Sequence, residues 1–385
     1  MYPIKKLQDC ATIIAGQSPE SKYYNSTGEG IPFFQGKADF GELYPKVRVY
    51  CSSPTKIAQY NDILLSVRAP VGPTNLSPGT VCIGRGLAAI RPDDSLDLKY
   101  LLYYFRYFET QLSAKGTGTT FKAINQKLIK NLEIPIPPLN EQFRIVARIE
   151  ELFSELDKAV DTLKTTKEQL EVYRQAVLKE IFDSVSTTSV HIKDVCLDIK
   201  VGIVIKPTQY YVSENGVPAF RNANVRRGYI NDTDWVMISK EGHQQNCRSE
   251  VHTNDVLISR SGANLGMASV VPARYNGYNA IDVVIAVPDI SKVIPEFLAQ
   301  YTNSPMGRAI VKKNERGAAQ GHLNVSAYAN LPIGVPDLQE QEKLVKQISD
   351  RLSVCDSIEK TVDTALAQAD AMRQSILKQA FEGTL

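Results

Sequence analysis

The sequence predicts a mixed α/β (α+β) protein made by tandem duplication. Two globular domains share a fold, each is followed by a long helix, and the two helices pair as an antiparallel coiled coil about a pseudo-two-fold axis. Three observations predict this. A segment that stops on prolines and opens a helix, Ile134-Pro135-Ile136-Pro137-Pro138-Leu139-Asn140-Glu141-Gln142, returns 199 residues later as Ile333-Gly334-Val335-Pro336-Asp337-Leu338-Gln339-Glu340-Gln341. The same offset maps Arg174-Gln175-Ala176-Val177-Leu178-Lys179 onto Arg373-Gln374-Ser375-Ile376-Leu377-Lys378. Both helical segments also place apolar residues at every seventh position. The parts are a first domain at 1–140, a first long helix at 141–183, a second domain at 184–338 and a second long helix at 339–385.

The globular parts repeat more loosely. Ile4-Lys5-Lys6-Leu7 faces Ile192-Lys193-Asp194-Val195, Gly30 to Phe34 faces Gly216 to Phe220, and Asn61 to Ser66 faces Asn254 to Ser259, at offsets of 188, 186 and 193. Loops tolerate insertions, whereas a packed helix seam loses register with any change of length. The domains therefore share a frame and differ in their loops. Strands are expected at 62–66, 86–90 and 282–286, and helices at 98–105 and 295–301.

No Gly or Pro interrupts Glu141 to Phe182. Ile149, Leu156, Leu163, Leu170 and Val177 form one heptad row, with Leu152, Phe153, Ala159, Val160 and Tyr173 filling in. The second row is Ile348, Cys355, Val362, Ala369 and Ile376, supported by Leu352, Ile358, Leu366 and Met372. A helix of about 40 residues is roughly 60 Å long and projects beyond its own domain, so it needs a partner. The other helix, run antiparallel, is the economical one; pairing between two chains stays open, because a seam does not name its partner. Pro137-Pro138 and Pro336 fix the helix starts, and Glu141 and Glu340 place acids in the first turns.

Composition is that of an ordinary globular protein, 43% hydrophobic and 22% charged. No apolar run approaches the ~20 residues of a membrane span, and the polar start is not that of a signal peptide. Cys10, Cys51, Cys82, Cys196, Cys247 and Cys355 contain no Cys-x-x-Cys pattern and read as reduced thiols of a cytoplasmic protein. The net charge of +2 divides unevenly. Residues 1–140 carry 16 basic and 11 acidic side chains and 183–339 carry 15 and 14, against 7 and 9 in 141–182 and 6 and 8 in 340–385. Basic domains on an acidic spacer suit a polyanion, although ordinary surface charge accounts for the split equally well.

Catalytic patterns are missing. No Gly-x-x-x-x-Gly-Lys-Ser/Thr loop occurs, nor the Asn/Asp-Pro-Pro-Tyr/Phe motif of adenine methyltransferases. Gly84-Arg85-Gly86-Leu87-Ala88-Ala89 imitates a dinucleotide fingerprint, but Pro92 follows too soon for a helix to hold a pyrophosphate. Pro92-Asp93 with Asp97-Leu98-Lys99 lacks a counterpart in the second half. His243, Cys247 and His252 fit no common zinc spacing, so no metal is expected. What remains suits nucleic acid. Lys115, Thr117, Thr119 and Lys122 sit in a Gly-rich loop able to approach phosphates, with Arg316 and Gln320 in its counterpart. Arg221, Asn222, Asn224, Arg226, Arg227, Arg260 and Asn264 offer Arg for guanine and Asn for adenine. Gln35, Lys37 and Arg68 hold similar places in the first half.

The doubled set resembles, over nearly the whole chain, the specificity subunit of type I restriction–modification systems. The resemblance rests on Asp62-Ile63-Leu64-Leu65-Ser66-Val67-Arg68-Ala69-Pro70-Val71-Gly72 and its echo from Asp255 to Gly266, the Gly-Thr loop before Ile124, the Ile-Pro-Ile-Pro-Pro-Leu-x-Glu-Gln lead-in, and the tandem plan. It implies a non-catalytic DNA-reading subunit. Each domain is then a target-recognition domain for one half of a split, asymmetric sequence, and the helices set the gap and dock two modification subunits. S-adenosylmethionine belongs to those adenine methyltransferase subunits; ATP and Mg belong to restriction subunits that join them. Arg68-Ala69-Pro70 becomes Arg260-Ser261-Gly262, and Pro135 becomes Gly334, so contacts do not transfer between halves. The competing reading is a coiled-coil scaffold that binds proteins rather than DNA.

Overall fold

The computed structural model describes residues 2–116, 123–314, 322–383 and 385. It divides into two compact units, Met1–Leu163 with Thr364–Leu385, and Lys164–Asp363. The division cuts both long helices, Leu139–Asp183 and Leu338–Glu382, rather than falling at the domain–helix joints. Antiparallel pairing is the reason: the start of one helix packs with the end of the other, so each unit owns a globular domain and a stretch of both helices.

In the first unit a four-stranded antiparallel sheet runs in the order Ala11–Ala15, Leu87–Pro92, Ile63–Ser66, Thr74–Leu76. A five-stranded sheet joins Tyr24–Asn25, Val49–Cys51, Ile31–Phe34, Val81–Ile83 and Ile57–Ala58, with one parallel pair between Ile31–Phe34 and Val81–Ile83. Ile4–Lys6 pairs antiparallel with Glu133–Pro135, tying the start of the domain to the lead-in of the first long helix. The continuous apolar run Ile63-Leu64-Leu65 is wholly buried because one sheet face meets helix and the other meets the second sheet. Helix Leu98–Ala114 starts at Asp97, whose carboxylate accepts the Tyr100 N–H, and it covers the sheet with Tyr100, Leu101 and Phe105.

The second unit repeats the plan. Its sheets run Cys196–Val201, Val283–Pro288, Val256–Ser259, Ala268–Val270, and Tyr211–Val212, Val236–Ile238, Val217–Phe220, Asn279–Ala280. Ser189–His191 pairs with Pro332–Gly334. Helix Pro295–Asn303 stands where Leu98–Ala114 stands in the first. The five strand and helix expectations fall on Ile63–Ser66, Leu87–Pro92, Val283–Pro288, Leu98–Ala114 and Pro295–Asn303. Among the described residues, no helix is long and apolar enough to cross a membrane.

The lead-in motif works through its glutamine. Gln142 is fully buried; its Oε1 accepts the Asp97 N–H at 2.7 Å, and its Nε2 donates to Ser95 O at 3.0 Å and Pro137 O at 2.8 Å. Gln341 repeats the set, accepting Ile294 N–H at 2.8 Å and donating to Lys292 O and Pro336 O, both at 2.8 Å. Each therefore bolts a long helix to the loop before its domain's main helix.

The far end of each long helix is fixed by phenylalanine. In the second unit Phe182 packs against Phe297 and Tyr301, each with ring centres at 5.3 Å. In the first, Phe381 sits among Tyr100, Tyr104 and Tyr107 at 5.3, 5.3 and 5.5 Å. Between these ends, ion pairs mark the antiparallel run. Arg373 bonds Asp157 in the first unit. In the second, Lys167 meets Asp363 at 2.6 Å, Arg174 meets Asp356 at 2.6 Å, and Arg351 meets Glu180 at 3.0 Å.

All ten heptad-row residues are buried or half-buried. The expected fill-ins Ala159, Tyr173, Ile358 and Met372 are exposed. The second row instead lies four residues after the first: Phe153, Val160, Lys167, Arg174 and Ile181 on one helix, Leu352, Glu359, Leu366 and Arg373 on the other. The fill-ins Phe153, Val160, Leu352 and Leu366 lie on this row, while Lys167, Arg174, Glu359 and Arg373 are charged and give no apolar signal.

Candidate nucleic-acid interface

In each domain the candidate loops grow from one serine. Ser66 Oγ donates to Arg68 O at 3.1 Å and Pro70 O at 2.8 Å, while Gly72 N–H returns to Ser66 O at 3.0 Å. Gly72 has φ +114°, and a Cβ there would lie 2.7 Å from Glu109 Cγ, so only glycine closes this loop. Ser259 repeats the role: its Oγ donates to Asn222 Oδ1 at 3.0 Å, and Gly266 N–H returns to Ser259 O at 2.8 Å. In the first domain Arg68 is left exposed, whereas in the second Arg260 folds back onto its own loop.

Arg68 is exposed, and its backbone bridges Ala123. Val67 N–H donates to Gly86 O at 2.9 Å, bringing the Gly84-Arg85-Gly86 turn alongside. That turn passes so close to Gln35 that a Cβ on Gly86 would lie 2.3 Å from Gln35 O. Gln35 and Lys37 are exposed beside it, with the Gln35 N–H held by Asp39 at 2.9 Å. Arg68 and Arg85 thus line one depression of about 330 Å³ with Gly16, Ala123 and Asn125. Gly84-Arg85-Gly86 leads into the strand Leu87–Pro92, not a helix, as Pro92 required. Lys115 ends the helix Leu98–Ala114, exposed, with its ammonium 5.1 Å from the Phe108 ring centre. Thr117, Thr119, Lys122, Arg316 and Gln320 lie outside the described residues.

In the second domain several candidates bond within their own loops. Asn224 is fully buried; its Nδ2 donates to Asn231 O at 3.1 Å and Thr233 O at 2.9 Å, and its Oδ1 accepts Arg221 N–H at 2.9 Å. These bonds tie Asn224 into its own loop. Asn222 accepts Arg260 N–H at 2.6 Å and donates to Ser261 Oγ at 2.8 Å, while Asn264 donates to Asn222 O at 3.0 Å. Arg260 donates to Leu323 O at 2.9 Å and pairs with Asp282 at 2.8 Å. Arg221 pairs with Asp234 at 2.8 Å, and Arg227 with Glu171 of the first long helix. The Arg226 side chain donates to Val225 O at 3.3 Å, and its backbone N–H to Tyr229 O at 3.1 Å. A polar loop must satisfy its own backbone, and in one sequence an asparagine doing that looks the same as one facing outward.

His243 and His252 flank Glu250, each at 3.6 Å, and Cys247 is exposed beside them. Burial raises the Asp255 carboxyl above its usual range; its counterpart Asp62 instead pairs with Arg91 at 2.7 Å. Arg85, passed over as part of a failed nucleotide motif, is the cation that the sequence pattern did not single out. Its signal was a cation between two glycines at a sheet crossing.

Two serine-closed loops at equivalent places on two copies of one domain suggest a doubled recognition module, and the sequence comparison agrees. The family described as "Type I restriction modification DNA specificity domain" matches residues 2–172 and again 178–368. The chain belongs to this family. A Methanocaldococcus jannaschii protein named "Putative type I restriction enzyme MjaX specificity subunit" is 42% identical over 167 residues, 43% of this chain and 38% of that one. The EcoBI specificity subunit of Escherichia coli is 25% identical over 317 residues, 76% of this chain and 67% of the relative. A crystal structure of the HsdS subunit from Thermoanaerobacter tengcongensis shares 50% identity over 40% of this chain and 38% of its own, with a TM-score of 0.38. The matched region therefore spans well under half of the M. jannaschii relative and of the T. tengcongensis chain.

Proposed function

We propose that this chain is the DNA-specificity subunit of a type I restriction–modification complex. It reads a bipartite, asymmetric target with its two domains and catalyses nothing itself. The observation that carries the reading is the specificity domain present twice in one chain, each copy tied to both long helices. Two domains on one frame with unlike loops are suited to two unlike half-sites. Gln35, Lys37, Arg68 and Lys115 in the first domain and Arg226 in the second are the described candidates for DNA contact. Two modification subunits, carrying S-adenosylmethionine and the adenine-methylating site, would dock on the helices; restriction subunits with ATP and Mg would join them. The six cysteines are free, which suits a reducing cytoplasm.

The test is a genome-wide methylation map after co-expression with the neighbouring modification subunit in a methylation-free host. The expected result is a split motif with N6-methyladenine in both halves, lost when this chain is omitted. A stable complex that leaves no modified motif would count against the reading and favour a protein-binding scaffold.

A further inference from the structure

The turn that carries the chain from one sheet to the other has opposite charge in the two domains. In the first it is Gly84-Arg85-Gly86, between Val81–Ile83 and Leu87–Pro92; in the second it is Ile281-Asp282, between Asn279–Ala280 and Val283–Pro288. Strand register makes the turns equivalent. Phe34 faces Ile83 and Ser66 faces Leu87, just as Phe220 faces Ala280 and Ser259 faces Val283. Beside each turn stands the arginine of the serine-closed loop, Arg68 or Arg260.

In the second domain Asp282 fills this place from within. It pairs with Arg260 at 2.8 Å and accepts further bonds from Ser261 at 3.3 Å and Asn222 at 3.4 Å. In the first domain Arg85 stands there, lining the same depression as Arg68, and neither makes an ion pair among the described residues. The segment 117–122, which leads to Ala123 at the rim, contains no Asp or Glu. Two guanidinium groups along one cleft repel each other and favour an anion between them. A guanine edge is satisfied by one bidentate arginine, whereas a phosphate has enough acceptor oxygens for two.

We propose that Arg68 and Arg85 form a cleft for a backbone phosphate of the DNA held by the first domain. In the second domain the internal Arg260–Asp282 pair stands in place of that phosphate, so the two domains grip DNA unequally at this point. The inference rests on the DNA-reading function proposed above.

The test is the affinity of the full chain for a random-sequence duplex as salt is varied. Each neutralised phosphate contributes about 0.9 to the slope of log K against log salt, so the double variant Arg68→Gln/Arg85→Gln should lower it by about one, and each single variant by less. Both side chains are exposed, and unchanged thermal melts will confirm folding. The paired exchange Arg260→Gln/Asp282→Asn should leave the slope at its wild-type value. A double variant with the wild-type slope overturns the cleft. An equal fall in slope from the Arg260/Asp282 exchange overturns the asymmetry. Wild-type protein with no salt-dependent binding overturns the DNA reading itself.

Discussion

Gln142 and Gln341 show how much a single side chain can hold. Each is fully buried and satisfies one backbone donor and two backbone carbonyls. Truncation leaves those groups without partners, which costs about 1–3 kcal/mol for each group stranded in a dry site. Gln142→Ala should therefore lower the stability of the full chain by at least that much, with Gln341→Ala close behind, as read by urea unfolding. Gln142→Glu, which points a second acceptor at two carbonyls, should do worse than alanine. If Gln142→Ala is neutral, the bolt is ornamental. The sequence held this residue in plain view as Glu-Gln, yet helix-dipole logic picks out the acid and passes over the amide. Asn224 is the reverse case, a residue whose type suits base reading and whose amide is spent inside its own loop. In both, what decides is which backbone groups lie nearby, and that depends on residues far away along the chain.

At the scale of the helices, ion pairs set direction more than stability. Exposed pairs contribute little each, but Lys167, Arg174, Arg351 and Arg373 find acids only in the antiparallel run. Arg351 beside Glu180 holds that carboxyl below its usual range, and Arg144 with Tyr2 holds Glu141 down to about 2. Because the folded values are depressed, their contribution is complete above the unfolded value of ~4.3 and is lost as pH falls toward the folded ones. The Glu141→Gln/Glu180→Gln variant should melt lower than wild type at neutral pH. Between about pH 5 and about pH 3 it should lose less of its melting temperature. Equal acid sensitivity would remove these two carboxylates from the account. The heptad row was readable because a seven-residue repeat survives any loop change. The flanking row was readable only at Phe153, Val160, Leu352 and Leu366, since charges stand at Lys167, Arg174, Glu359 and Arg373.

For the whole molecule, the repeat made the frame legible: two domains, two helices and their order follow from offsets alone. The candidate DNA-contact loops resisted because the halves diverge there and neither predicts the other, as Arg85 against Asp282 shows. If the helices set the gap between half-sites, removing seven residues from each shortens both by ~10 Å, about three base pairs of duplex. Deleting 163–169 together with 361–367 keeps the antiparallel partners matched. The methylated motif should then keep both half-sites and lose about three bases from its spacer. A complex that assembles and methylates at the original spacing would show that something other than the helices measures the gap.

The aromatic anchors have a consequence for how such a protein can change its target. Phe182 and Phe381 are the same plug, and each sits in a socket made by the main helix of a domain: Phe297 and Tyr301 in one, Tyr100, Tyr104 and Tyr107 in the other. The sockets are built from the main helices, not from the serine-closed loops themselves. A foreign domain brought in as a cassette needs a socket for phenylalanine, a loop that receives the buried glutamine and an apolar face for the helix residues around them. New specificity can then arise by exchange of modules, with the joints between them left as they are.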